Sequence, residues 1–338
     1  MTAHVPAPLD EWFFPRGRAP RDTGDQWESV IDRGRPGWQH AGLRVATLLE
    51  TATLALPAGA TERMVVPLEG DVTVQWQRGD DRGTVHLAGR ESPFDGPADV
   101  AYLGDSTAVV LTGSGRVAVA DAVSDAHLPV AVMRGDDIPV EIRGAGRSTR
   151  QVHNFGVPGA LAAQNLIVCE VITPAENWSS YPAHKHDVEV PGRETSLEEI
   201  YYFESAVTRG ASAPPDADPF GMFATYSSPA GQISINALVR TGDIALVPFG
   251  YHGPAVAAPG YDLYYLNVMA GAGRERSWLI TDDPAHSWIR SSWSDQSPDE
   301  RLPYRASRKA PSYDEAPVRH PYDRQPGAGG ISRQPVDR

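Results

Sequence analysis

The 338-residue chain has a single cysteine, Cys169, which excludes an intrachain disulfide. It lies in the apolar run Leu166-Ile167-Val168-Cys169-Glu170-Val171, where a thiol serves as a small buried hydrophobe rather than a nucleophile. Long apolar runs are missing as well: no segment approaches the roughly 18 residues of a membrane-spanning helix. The N-terminus shows no charged start followed by an apolar stretch, so the cytoplasm is the expected location. Basic charge is in short supply, with 30 Lys and Arg against 43 Asp and Glu, and the net charge of −13 argues against nucleic acid or an anionic membrane as partner. Helical periodicity is scarce. Only residues 297–301, with Ser297 as N-cap and Pro298 at the first helical position, and parts of the N-terminal arm carry a weak helical signal.

What is present is turn chemistry between short apolar runs. The 32 Gly and 30 Pro are scattered through the chain, the pattern of an all-β protein with many turns. A chain of 338 residues is long for one domain and comfortable for two. Residues 1–40, rich in Trp, Arg, Pro and Asp, form an arm expected to wrap over a neighbouring surface. Strand-like runs follow at residues 42–54, 62–66, 71–77, 83–87, 98–103, 106–111 and 115–120, spaced as in a sandwich or barrel. Gly144-Ala145-Gly146 interrupts the pattern within 138–148, which divides a first barrel over 41–145 from a second over 146–296. Beyond Arg301 apolar periodicity ends, and residues 297–338 read as a mobile or surface-draped tail.

The second half carries the chemistry. In Tyr181-Pro182-Ala183-His184-Lys185-His186 the two histidines are two apart, so in extended backbone they share a face while Lys185 points away. The run from Glu199 to Phe203 is aromatic and β-branched and forms the neighbouring strand; Glu199, Tyr201 and Phe203 share one side, Glu198, Ile200 and Tyr202 the other. Only one of the two glutamates can join the histidines. Residues 244–247 form a short buried strand that ends at Pro248, and the turn at Gly250 returns His252 to the same barrel mouth. Imidazoles with a carboxylate suit Zn, Fe, Mn or Ni. His4, His40, His86, His127, His153, His286 and His320 lack such a context and read as surface or structural residues. The first half has no H-x-H, so it is a barrel without a metal.

The H-x-H strand, the Glu-led aromatic strand and G-D-x-x-x-x-P-x-G-x-H resemble the two motifs of the cupin superfamily, and the duplicated strand pattern resembles a bicupin. More narrowly, Asn177-Trp178-Ser179-Ser180-Tyr181-Pro182, Leu197-Glu198-Glu199-Ile200-Tyr201-Tyr202, Gly250-Tyr251-His252 and Pro259-Gly260-Tyr261-Asp262-Leu263-Tyr264-Tyr265 are similar to the 5-deoxy-glucuronate isomerases of myo-inositol catabolism. The similarity is dense over residues 150–288 and thin, though collinear, before them. It implies two jelly-roll barrels, an aldose–ketose isomerase producing 5-dehydro-2-deoxy-D-gluconate, and one divalent metal (Zn, Mn or Fe, Zn first) on His184, His186, Glu199 and His252. The chain departs from that family at Ala183, in residues 227–237, where acidic residues are missing, and at Gly253 before Pro254. Departures at positions that touch substrate would change substrate identity.

Moving a proton between adjacent carbons needs charge stabilisation at two oxygens and a general base. Glu170, a carboxylate within an apolar strand, is the candidate base. Tyr201, on the face of Glu199, is a candidate donor to a substrate oxygen. Arg150, opening the second barrel, is the candidate fork for the carboxylate of a small sugar acid. Two other readings fit the ligands: a metal-dependent dioxygenase, which would consume dioxygen, and a non-catalytic sugar-binding bicupin, which would need no intact ligand set. A homo-oligomer is left open.

Overall fold

The computed structural model describes residues 11–18, 27–50, 52–273 and 275–305. They form four antiparallel sheets, arranged as two pairs. In the first pair a six-stranded sheet runs in the order Ala131–Met133, Val100–Leu103, Thr61–Glu69, Gly115–Val123, Ala41–Leu48, Ser29–Ile31. It faces a four-stranded sheet of Leu54–Leu56, Ala108–Gly113, Val72–Arg78 and Asp81–Leu87, and Val65, Val72, Leu103, Leu111 and Val117 fill the space between them.

The second pair repeats this order. Its larger sheet runs Phe13–Phe14, Ile244–Val247, Glu198–Val207, Tyr261–Ala270, Ile167–Thr173, Arg150–Gly156, Val140–Arg143. Its smaller sheet contains Asn236–Val239, Gly221–Tyr226, Tyr251–Ala257, His184–Lys185 and Thr281–Asp282, with Trp178–Ser179 also paired to Tyr251–Ala257. Ile167, Cys169, Tyr201, Phe203, Phe223, Tyr265 and Met269 pack inside this barrel. Residues of opposite parity, Ile200, Tyr202, Tyr264, Leu266 and Val268, pack with Met64, Val66, Ala118 and Ala120 from the other large sheet. Both faces of these central strands are buried, which is why their sequences read as nearly unbroken apolar runs.

Three local outcomes differ from the sequence pattern. The arm contributes a strand of its own: Phe13 and Phe14 pair with Ala245 and Ile244 at the edge of the second barrel. The hairpin of Val140–Arg143 and Arg150–Gly156 spans the Gly144 interruption, so the second barrel's large sheet begins at Val140. Residues 297–301 are not helical, because the Asp299 carboxylate accepts from Asn177 and Arg301 and ties this stretch to the barrel wall instead. The longest of the described 3₁₀ helices lies earlier, at Ser287–Asp295. His4, His320 and the tail from 306 onward lie outside the described residues.

The repeated topology aligns individual residues. Arg63 faces Leu103 across the first barrel's strands as Glu199 faces Val247 across the second's. The following turns both place a positive φ three residues on, at Ser106 and Gly250. Arg63 therefore holds the position of Glu199, and Ala108 that of His252. The Arg63 guanidinium donates to the carbonyls of Thr107 and Pro57 at 2.7 and 2.8 Å. The preceding glutamates form reciprocal staples. Glu62 accepts the backbone N–H groups of Gln164, Asn165 and Leu166, which lead into the second barrel. Glu198 accepts those of Gln39, His40 and Ala41, which lead into the first.

Candidate metal centre

Glu199 projects inward from Glu198–Val207, and His252 enters from the start of Tyr251–Ala257, where it registers with His184. His186 follows the short His184–Lys185 strand and is fixed by Leu197, whose N–H donates to the His186 carbonyl at 2.9 Å. The Glu199 Oε2 lies 2.9 Å from His186 Nε2 and 3.0 Å from His252 Nε2. One donor atom from each of these three residues falls within 4.8 Å of the others, and all three residues are buried.

The Nδ1 atoms decide what this cluster can hold. Each lies against a carbonyl: His186 Nδ1 is 3.1 Å from Leu197 O, His252 Nδ1 3.2 Å from Gly250 O, and His184 Nδ1 3.3 Å from Pro182 O. A carbonyl only accepts, so Nδ1 carries the proton and Nε2 keeps its lone pair. Two bare imidazole nitrogens then face one carboxylate oxygen, an assembly of acceptors that a cation relieves. His252 Nε2, buried and without a hydrogen bond despite its 3.0 Å approach to Glu199, shows the mismatch directly. Burial alone would push Glu199 up and His186 down. Their mutual contact overrides it, holding the Glu199 carboxyl below and the His186 imidazole above their ordinary ranges, so that a proton on His186 Nε2 and a cation compete for the same lone pair. His184 is held well below by burial and by the neighbouring His252 and His186. Its ring stands 4.5 Å from that of His252 and 6.3 Å from that of His186, beside the trio rather than within it.

Strand parity places the other predicted residues. Tyr201 shares the Glu199 side as expected, with its hydroxyl 3.0 Å from Ser180 Oγ and its ring against Phe223 and Tyr265. Burial first, and then the Glu199 charge, push the Tyr201 phenol well above its usual range, so it stays a proton donor. Lys185 points away from the centre, yet it is only 8% exposed and pairs with Asp187 and Glu194 at 2.7 Å each. This pairing was not legible in the sequence, and it serves the site. Asp187 accepts from Ser228 and from the Gly250 N–H, which fixes the turn that delivers His252. Gly250 has φ +96°, and a Cβ there would stand 2.9 Å from Tyr226 O.

Glu170 is a correction. It sits between Cys169 and Val171, which face the barrel interior, so its own side chain emerges on the opposite side of the sheet among the residues between the barrels. There it pairs with Arg90 of the first barrel at 2.7 Å, with His153 Nδ1 at 3.5 Å, so the cost of burying it is met by a partner and not by catalysis. Burial would raise its carboxyl, but Arg90 and His153 hold it below the ordinary range.

Arg150 does face the interior. It is 8% exposed, donates from Nη1 to Ser148 O at 3.0 Å, and lies 5.5 Å from the Trp293 ring. Among the described residues no carboxylate stands within ion-pair distance of it. Burial above all, with Arg143 and Arg290 nearby, pushes it down to about 10, which marks a buried cation lacking a counter-ion. The other face of this arrangement belongs to Arg290, which pairs with Asp282 and also lies over Trp293, at 5.4 Å. Sequence reasoning missed Trp293 and Arg290, whose only signal was an aromatic–basic alternation after Trp288. The Gly253 departure is steric: its φ of +94° and its backbone contact with Ser180 leave no room for a side chain.

The sequence model of the KduI/IolB family matches residues 13–289. The chain is 35% identical over 261 residues to a 5-deoxy-glucuronate isomerase of Geobacillus kaustophilus, covering 76% of this chain and 88% of that one. It is also 35% identical over 257 residues to the 5-deoxy-glucuronate isomerase of Bacillus subtilis, covering 72% and 88%. A solved IolB-like protein from Salmonella typhimurium superposes with a TM-score of 0.71 at 33% identity, over 82% of this chain and 98% of that one. Lactobacillus farciminis oxalate decarboxylase, at 10% identity and a TM-score of 0.55 over 82% and 89%, shares the fold alone. The fold is that of a bicupin, and the extent of these matches shows that the chain belongs to the KduI/IolB family.

Proposed function

We propose that this chain is a sugar-acid isomerase that converts 5-deoxy-glucuronate into 5-dehydro-2-deoxy-gluconate at the mouth of its second barrel. The observation that carries the reading is the convergence of bare imidazole Nε2 atoms on Glu199, in a chain whose relatives are 5-deoxy-glucuronate isomerases. His186, Glu199 and His252, with His184 turning in as a fourth ligand, would hold one divalent ion; nitrogen and carboxylate donors suit Zn first, then Mn or Fe. When bound, such an ion supplies Lewis acidity for the negative charge that develops on the two oxygens of the reacting carbons.

The chain's own residues supply the rest. Tyr201 holds a proton on the Glu199 side and donates it to a substrate oxygen. Arg150, an interior cation whose hydrogen bond among the described residues goes to a carbonyl, binds the substrate carboxylate. The Ser287–Asp295 helix, through Trp293, restrains Arg150 on its outer side. The first barrel serves as scaffold, with Arg63 where the second has Glu199. Among the described residues no helix is long and apolar enough to cross a membrane, and a buried free thiol with a small sugar-acid substrate supports a cytoplasmic enzyme.

The test is proton NMR of metal-loaded protein with 5-deoxy-glucuronate under argon. The ketose should accumulate without oxygen. Turnover that requires oxygen would point to the dioxygenase chemistry instead, and no turnover by a fully metallated sample would remove the isomerase reading.

A further inference from the structure

Apart from His252 Nε2 at the metal centre, two buried side-chain atoms of the second barrel's interior cluster that lack hydrogen bonds share one chemical character. Asn267 Nδ2 and Trp278 Nε1 are N–H donors with no acceptor among the described residues, although Asn267 is only 3% exposed and Trp278 packs on the interior cluster. A buried donor without a partner is costly, so two of them on one interior call for an explanation. Asn267 registers with Tyr201 on one side and with Cys169 on the other, one row from Glu199 and its neighbour Met269. Arg150 is the third donor of this interior held below its capacity, with a single carbonyl partner. Tyr265, two residues before Asn267 on the same face, registers with Val171, which pairs with Val152 two residues from Arg150, so Asn267 lies on a row between those of Glu199 and Arg150.

Resting on the isomerase reading above, we propose that Asn267 and Trp278 form the hydroxyl-recognition subsite of this barrel, donating hydrogen bonds to sugar oxygens between the metal end and the Arg150 end. Buried N–H groups held beside the metal centre select a ligand that brings oxygen acceptors to them: a polyhydroxy acid fits, and an apolar ligand does not. Neither residue has a part in holding the ion. Their loss should weaken substrate recognition while metal content and fold stay intact.

The experiment compares wild type with Asn267→Ala, Asn267→Asp and Trp278→Phe, each fully metallated. Three readouts are taken: steady-state kinetics, calorimetric binding of D-glucuronate as a non-cognate hexuronate, and thermal melting. Asn267→Ala and Trp278→Phe should each lower kcat/KM by about tenfold, mainly through KM, and weaken glucuronate binding by a similar factor. Asn267→Asp preserves shape but replaces the donor by an anion, and should lose at least as much as Asn267→Ala. Metal content should match wild type in all three variants, and the melting temperature in at least Trp278→Phe, which separates recognition from folding. Unchanged KM and glucuronate affinity in both the Asp and Phe variants would overturn the subsite while leaving the isomerase reading standing. Wild type that binds glucuronate through these donors yet does not isomerise 5-deoxy-glucuronate would overturn the isomerase reading and keep the subsite.

Discussion

Glu198 and Glu199 are adjacent acids with opposite duties. Glu199→Gln removes the charge that two imidazoles face, and should abolish tight metal binding and turnover together, as measured by elemental analysis and product formation. Glu198→Gln should keep the metal. It weakens three backbone N–H contacts at 2.6, 2.7 and 3.2 Å, so it should lower stability by on the order of 1–3 kcal/mol, read as a fall in melting temperature. Reversed outcomes would mean that the strand is out of register by one residue. Arg150 gives a different signature. Arg150→Lys should lower kcat/KM by up to about thirtyfold at constant metal content, because a point charge cannot replace a fork. Since the buried guanidinium lacks a counter-ion, Arg150→Gln should leave the melting temperature of ligand-free protein unchanged or raise it. A large destabilisation would assign Arg150 to structure.

At the scale of strands, the candidate cluster of His186, Glu199 and His252, with His184 beside it, was legible because the information is local: His184 and His186 two apart, Glu199 at the head of an aromatic strand, His252 after a glycine turn. Parity then sorted Tyr201 from Tyr202 correctly. The same rule could not sort Glu170, because Ile167–Thr173 is buried on both faces and an unbroken apolar run does not say which parity looks inward. Its partner, Arg90, is 80 residues away in the other barrel. The consequence can be measured through pH. The Glu170 carboxyl is depressed in the folded protein, so its pairing stabilises the fold above the unfolded-state value of about 4.3 and is lost on acidification below it. Wild type should therefore lose stability steeply as pH falls through that region, and Glu170→Gln should start less stable at neutral pH but show a shallower acid dependence. Equal slopes in the two proteins would remove the ion pair from the stability account.

The whole molecule is one architecture used twice. Equivalent strands occupy equivalent places in both sheet pairs, and the glutamates at Glu62 and Glu198 tie each barrel to the chain entering the other. The chemistry is not repeated, because Arg63 and Ala108 stand where the second barrel has Glu199 and His252. The sequence disclosed the duplication as strand spacing and the unrepeated cluster as missing histidines. The arginine that fills the vacated position emerged only from register. The central claim is that isomerisation runs on one ion in the second barrel. Its most direct test is to strip the protein with a chelator, restore Zn in steps, and follow rate and bound metal together. Activity should be absent at the start, rise in proportion to bound metal, and level off at one ion per chain; full activity without metal, or a rise that continues to a second equally tight ion, would contradict it.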